Sequence, residues 1–313
     1  MIKIFQSDGK QTQEISELRK GTWIKLTTPT KKEIRQVLDY LNLECDDITS
    51  AIFDVEEKNR LEITKSYTLI LIDIPFSEMH HHREIYKTVP LIILLTDKNI
   101  VTICSKNTPI LNYYSEGEHC FVISHKLNFA YQIMLRVSIL YQQALRAINS
   151  QRMEFEERVK HINTEKDIIS LHELESSLVY FATSLRDNSN VLNKLAKAPG
   201  LRKFSKDAEL FDDIMIEHHQ AMEMAQIYRD ILDSTRELAS DIINLRINRV
   251  MKRLTSITIL LSIPMVLSGL YGMNVDTEWM PLAKTPHGFG LVCILIFAVT
   301  AIISIWLEKK HMM

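Results

Sequence analysis

Nine residues near the end of this chain are spaced alternately by four and by three: Asn244, Asn248, Met251, Thr255, Thr258, Ser262, Met265, Gly269 and Gly272. On a helix that alternation is a heptad seam, one continuous stripe along one side. The stripe carries amide, hydroxyl, thioether and bare backbone groups, and no charge. Amide and hydroxyl oxygens accept hydrogen bonds from the water shell of a cation without holding it as a carboxylate would. Conduction needs sites of that kind, favourable enough to enter and weak enough to leave. If several copies pack around an axis, the stripe becomes the lining of a pore. Serine and threonine in apolar helices also bond their own backbone, and small residues serve helix packing. The seam alone is open to both readings.

The elements that must position this stripe are legible nearby. Leu254–Tyr271 and Phe289–Leu307 are apolar and contain no charge. Each is about long enough to cross a ~30 Å hydrocarbon core. Between Leu254 and Leu307 the only formally charged residues are Asp276, Glu278 and Lys284. Leu201 to Ile263 contains neither glycine nor proline, after a break at Pro199-Gly200. One helix over 206–271 would be roughly 100 Å long, with its last part, about 254–271, as a first membrane span. Residues 272–288 are then a loop, 289–307 a second span and 308–313 a basic tail. Arg246, Arg249, Lys252, Arg253, Lys309 and Lys310 gather at one side of the spans, against Lys284 alone in the loop. That asymmetry predicts both termini in the cytoplasm, with the loop outside.

Upstream, residues 1–121 read as a cytoplasmic α/β unit. MIKIF, TWIKLTT, RLEIT and YTLILIDIP are β-rich runs, and VPLIILLTDKNIVTIC reads as a hairpin. Thr30 with Glu33 forms a capping-box pattern ahead of one helix, and DDITSAIFD suggests a weaker one. Residues 122–205 show the three-and-four spacing of long helices. No apolar leader opens the chain, so the bulk is expected in the cytoplasm. Cys45, Cys104, Cys120 and Cys293 show no paired spacing. A net charge of −2 gives no footprint for nucleic acid. No nucleotide-binding motif and no catalytic cluster is present, so neither an enzyme nor an organic cofactor is expected.

Other residues carry weaker signals. Asp276 and Glu278 in the outer loop form either a cation-concentrating negative ring or a solvated pair. His80-His81-His82, flanked by Glu78 and Glu84, reads as a polar hairpin tip ahead of a transition-metal site, with strands ending at Pro75 and resuming near Thr88. His218-His219 reads as a solvated helix face.

Tyr271-Gly272-Met273-Asn274, closing the first of two C-terminal spans, resembles the signature of the CorA-type metal ion transporters. Asn248 and the Val250-Met251-Lys252 run are similar to that family as well. The specific resemblance covers roughly Arg246 to Trp306. It implies a funnel-shaped homopentamer in membrane lipid, an α+β cytoplasmic domain with long helices, and a pore lined by five copies of the first span. It implies that Asn274 forms the outer ring selecting hydrated Mg²⁺, with Gly272 and Met273 shaping the loop. The constriction is open between Leu254, which the resemblance favours, and Thr255, which the heptad count favours. The family's intracellular metal sensing would fall to carboxylates such as Asp212, Asp213 and Glu217. Acidic residues in the first turns of a helix also simply suit its dipole. Two alternatives remain: the same fold carrying Zn²⁺, Co²⁺ or Ni²⁺, and a membrane-anchored helical sensor or scaffold that transports nothing.

Overall fold

The computed structural model describes residues 1–7, 12–43, 58–80, 83–115, 125–158, 165–198, 205–274, 276, 280–282 and 285–310. The chain divides into two compact units, Met1–Thr235 and Arg236–Met313.

The first unit is built on seven strands: β1 (Ile2–Ser7), β2 (Thr12–Ile15), β3 (Trp23–Thr27), β4 (Arg60–Ile63), β5 (Tyr67–His80), β6 (Arg83–Thr96) and β7 (Ile100–Cys104). Their order in the sheet is β2-β1-β3-β7-β6-β5-β4. β3 and β7 are parallel, and every other pairing is antiparallel. One face is covered by α1 (Lys31–Leu41), whose Ile34, Val37, Leu38 and Leu41 pack on Ile24, Leu26, Leu69, Leu71, Ile92 and Leu94. Thr30 caps that helix as the sequence predicts: Glu33 N–H donates to Thr30 Oγ1 at 3.3 Å, and Thr30 N–H donates to Glu33 Oε2 at 2.8 Å. Asn42 ends it in the left-handed conformation, φ 56°.

A short helix, α2 (Pro109–Ser115), leads to two long ones, α3 (Lys126–Arg158) and α4 (Glu165–Lys197). These cover the opposite face. Trp23 meets Phe129 of α3 edge-on at 5.2 Å and donates Nε1–H to Thr102 Oγ1 at 2.9 Å. With helices on both faces, every residue of β7 is buried, which is why this strand reads as apolar on both sides but for Thr102, whose hydroxyl Trp23 satisfies.

The hairpin β5–β6 is longer than the sequence suggests. Its pairing runs unbroken from Tyr67↔Thr96 to His80↔Arg83, straight through Pro75 and Pro90. Neither proline breaks the ladder because each lies beyond the reach of a third strand: β4 stops at Leu71, and β7 stops at Leu91. The helix expected within DDITSAIFD lies outside the described residues.

α5 (Ser205–Tyr271) is a single helix of 67 residues, with Pro264 inside it. It ends at Tyr271, as the glycine at 272 predicts. In the second unit it is followed by α6 (Gly288–Lys309). Both helices are long and apolar enough to cross a membrane. Leu254, Ile257, Leu261, Met265 and Leu270 on α5, with Phe289, Ile294, Phe297 and Ile302 on α6, are exposed. In water each would cost roughly 25 cal/mol per Å² of apolar surface. Hydrocarbon removes that cost.

Candidate functional site

The seam is intact on α5. Asn248, Met251, Leu254, Thr255, Thr258, Ser262 and Met265 are all helical and all exposed in the single chain. Three hydroxyls along it bond back to the preceding turn: Thr255 Oγ1 to Met251 O at 2.9 Å, Thr258 Oγ1 to Leu254 O at 2.8 Å, and Ser262 Oγ to Thr258 O at 2.7 Å. This spares each group an unsatisfied donor in an apolar medium. It also spends each proton on the backbone, so the oxygen lone pairs are what remain to offer. Such a surface fits a cation that arrives with its water O–H groups pointing outward.

The motif at the helix end is held by backbone. Gly272 N–H donates to Ser268 O at 3.0 Å and to Gly269 O at 3.2 Å, and Met273 N–H reaches Leu270 O at 3.5 Å. Gly272, Met273 and Asn274 are exposed. The loop returns through Met280, Pro281 and Leu282, where the Tyr271 hydroxyl donates to the Pro281 carbonyl. Its last turn is close: a Cβ added to Gly288 would meet Leu282 O at 2.1 Å and Thr285 Oγ1 at 2.9 Å. Only glycine fits there, because backbone occupies the place of a side chain. Asp276 is exposed, and Glu278 lies outside the described residues.

The three candidate sensing carboxylates are not gathered within the chain. Asp212 and Asp213 are exposed on α5. Glu217 is engaged elsewhere, its Oε2 accepting from Gln142 Nε2 of α3 at 2.6 Å. Among the described residues no group of three or more His, Cys, Asp or Glu could hold a metal ion.

The histidine run falls at the β5–β6 tip, and His81 and His82 lie outside the described residues. His80 Nδ1 is 3.5 Å from Glu173 Oε1 on α4. Glu78 and Glu84 do not join it. Glu78 bridges Lys106 and Lys87, whose cations, Lys106 foremost, hold its carboxyl below the usual range, and Glu84 accepts from the Tyr86 hydroxyl at 2.7 Å. The solvated face expected for His218-His219 is half right. His219 is exposed beside Glu223, at 3.2 Å. His218 is 4% exposed and donates Nε2–H to Leu185 O at 2.9 Å, so it ties α5 to α4. Burial pushes its imidazole pKa down.

A polar node that sequence reasoning missed surrounds Asp73, midway along β5. Asn188 of α4 accepts Asp73 N–H at 2.9 Å and donates to Asp73 O at 2.8 Å. Tyr141 of α3 donates to the same carbonyl at 3.1 Å. The carboxylate accepts from Ser184 Oγ at 2.8 Å and from Asn59 Nδ2 at 3.1 Å. Desolvation outweighs these donors and raises the Asp73 carboxyl above the usual range. The node fastens two helices to the stretch of β5 that β4 no longer pairs. Asn188→Ala is expected to cost about 2–3 kcal/mol, since it strands a buried N–H and leaves a small void. Thermal unfolding of the full chain in detergent should show the first unit melting several degrees earlier. An unchanged midpoint would remove the node from the account of the fold.

Comparison with known proteins agrees with this architecture. A family model described as CorA-like Mg²⁺ transporter protein matches residues 19–310. A cobalt/magnesium transport protein CorA of Methanocaldococcus jannaschii is 26% identical over 285 residues, covering 90% of this chain and 87% of that one. Its counterpart in Thermotoga maritima is 22% identical over 302 residues, covering 92% and 82%. The solved structure of the complete CorA magnesium transporter from M. jannaschii superposes with a TM-score of 0.79 at 23% identity. It covers 97% of this chain and 96% of that chain.

Proposed function

The chain belongs to the CorA family of Mg²⁺ transporters, and on that premise we propose how it moves its ion. Hydrated Mg²⁺ enters through a ring of Asn274 side chains and passes down a pore lined by α5 of a homopentamer. The observation that carries this reading is the junction itself. The last stretch of α5, charge-free from Leu254 and carrying a seam of hydroxyl and thioether groups that continues the amides of Asn244 and Asn248, ends in Tyr271-Gly272-Met273-Asn274, and a second charge-free stretch, Phe289–Leu307, follows on α6.

Mg²⁺ is small and sheds water reluctantly, so it travels best with waters retained. The amide of Asn274 accepts from that shell. Below it the route passes Met265, Ser262, Thr258, Thr255, Leu254, Met251 and Asn248, in that order. Gly272 and Met273 shape the turn that aims Asn274, and Asp276 with Glu278 draws cations toward the mouth. We place residues 1–121 as the cytoplasmic α/β domain, 122–205 as its helical part and 206–271 as the stalk running into the first span. The 272–288 loop is then external, 289–307 is the second span, and the 308–313 tail lies in the cytoplasm with the N-terminus. Asp212, Asp213 and Glu217 would sense Mg²⁺ only by pairing with carboxylates of a neighbouring copy. Co²⁺ is a second candidate substrate, because the relatives in M. jannaschii and T. maritima are named for cobalt as well as magnesium.

The driving force is the membrane potential, ~2.3 kcal/mol per charge per 100 mV, or about 4.6 kcal/mol for a divalent ion. Protein reconstituted in vesicles should therefore take up Mg²⁺ several-fold faster when a potassium-diffusion potential makes the interior negative. Uptake no greater than in protein-free vesicles at any potential would end the proposal. Mass measurement in detergent should return five copies, because a dimer leaves no lining to enclose an ion.

A further inference from the structure

Beside Met273 of the turn, within the second unit, lies a half-open apolar pocket of about 370 Å³. Its walls are Leu267, Leu270 and Tyr271 of α5 and Val292, Leu295 and Ile296 of α6, and its roof is Met273 with the returning loop at Met280–Leu282. The one polar side-chain group among these is the Tyr271 hydroxyl, and it is already spent on the Pro281 carbonyl. Nothing in the lining asks for water. A closed apolar cavity of about 150 Å³ suffices for a benzene-sized guest; this pocket, open on one side, has room for a longer apolar segment entering from outside.

We infer that an acyl chain of the surrounding bilayer occupies this cavity and braces the turn that presents Asn274. The inference rests on the reading of α5 and α6 as spans. If they cross the membrane, the medium at the cavity mouth is hydrocarbon, and hydrocarbon is what is available to fill it. Leaving the space empty would forfeit the dispersion contacts of its whole lining. Because Met273 is part of the roof and Asn274 follows it, whatever fills the cavity bears directly on the pore mouth.

The test uses the full chain in phosphatidylcholine vesicles doped with a phosphatidylcholine whose acyl chain carries a diazirine. After irradiation, peptide mapping should find adducts on Leu267, Met273, Val292 or Leu295. Leu295→Trp, which fills the space, should lower those adducts several-fold while leaving adducts on the outward Ile294 and Phe297 unchanged. Val292→Phe fills the same space from another wall and repeats the test if the first variant assembles poorly. Adducts confined to Ile294 and Phe297, or unaffected by either filling substitution, overturn the inference. So does a disulfide between copies in Leu295→Cys, which would place a neighbouring copy in the cavity. Mg²⁺ uptake by the wild-type protein is measured in the same vesicles. Failure of the lipid site with uptake intact leaves transport standing, whereas adducts without uptake strike the transport reading alone.

Discussion

Asn274→Ala is expected to reduce Mg²⁺ entry into vesicles by at least tenfold, with little change in fold or assembly. The residue is exposed at the end of α5, and the turn that carries it is made by backbone bonds of Gly272 and Met273. Alanine leaves those bonds in place and removes only the amide. Each copy then loses one hydrogen bond to the shell of a cation, an interaction worth roughly 1.5–3 kcal/mol when a charge is involved. A loss of about 1.4 kcal/mol is already tenfold. The readout is a Mg²⁺-sensitive dye inside the vesicles, with thermal unfolding as the control. Equal entry in variant and wild type would mean that the selecting group lies elsewhere.

Leucine along the seam is expected to be more severe. Thr258→Leu, Ser262→Leu and Asn248→Leu each place a branched apolar side chain where the lining offers oxygen. An apolar ring at a narrow point excludes water and gates by dewetting. A divalent ion forced through without its shell faces a desolvation cost of tens of kcal/mol. Flux should fall to the level of empty vesicles, while Ile257→Leu and Leu261→Ile, both off the seam, stay near wild type. A scaffold without a pore would tolerate all of these alike. Intact flux in the three seam variants would therefore move the pore off this face of α5.

The parts of the molecule legible in the sequence are those fixed by neighbours along the chain. Thr30 and Glu33 announce their helix start because both partners of the box lie within one turn. The end of α5 at Tyr271 and the two charge-free spans follow from composition and a single glycine. What stayed hidden depends on distant partners. β2 is a polar edge strand, Thr-Gln-Glu-Ile, recognised only through its pairing with β1. Pro75 looks like a strand end until the register shows that no third strand needs its N–H. His218 and Asp73 look like surface residues, and their partners Leu185 and Asn188 are 33 and 115 positions away. The cavity behind the loop joins residues of two helices and a turn whose individual apolar character is ordinary. At the candidate site, residue types and spacing gave the seam. The commitment of its hydroxyl protons to the backbone required coordinates.

That commitment bears on what is refused. With the protons of Thr255, Thr258 and Ser262 spent on their own helix, the proposed lining can donate to chloride only through the amides of Asn248 and Asn274, and no negative side chain lies along it. Where no counter-ion travels alongside, each translocated ion leaves two uncompensated charges behind. Uptake of this kind is a current, and it halts itself at the concentration ratio that the voltage can sustain.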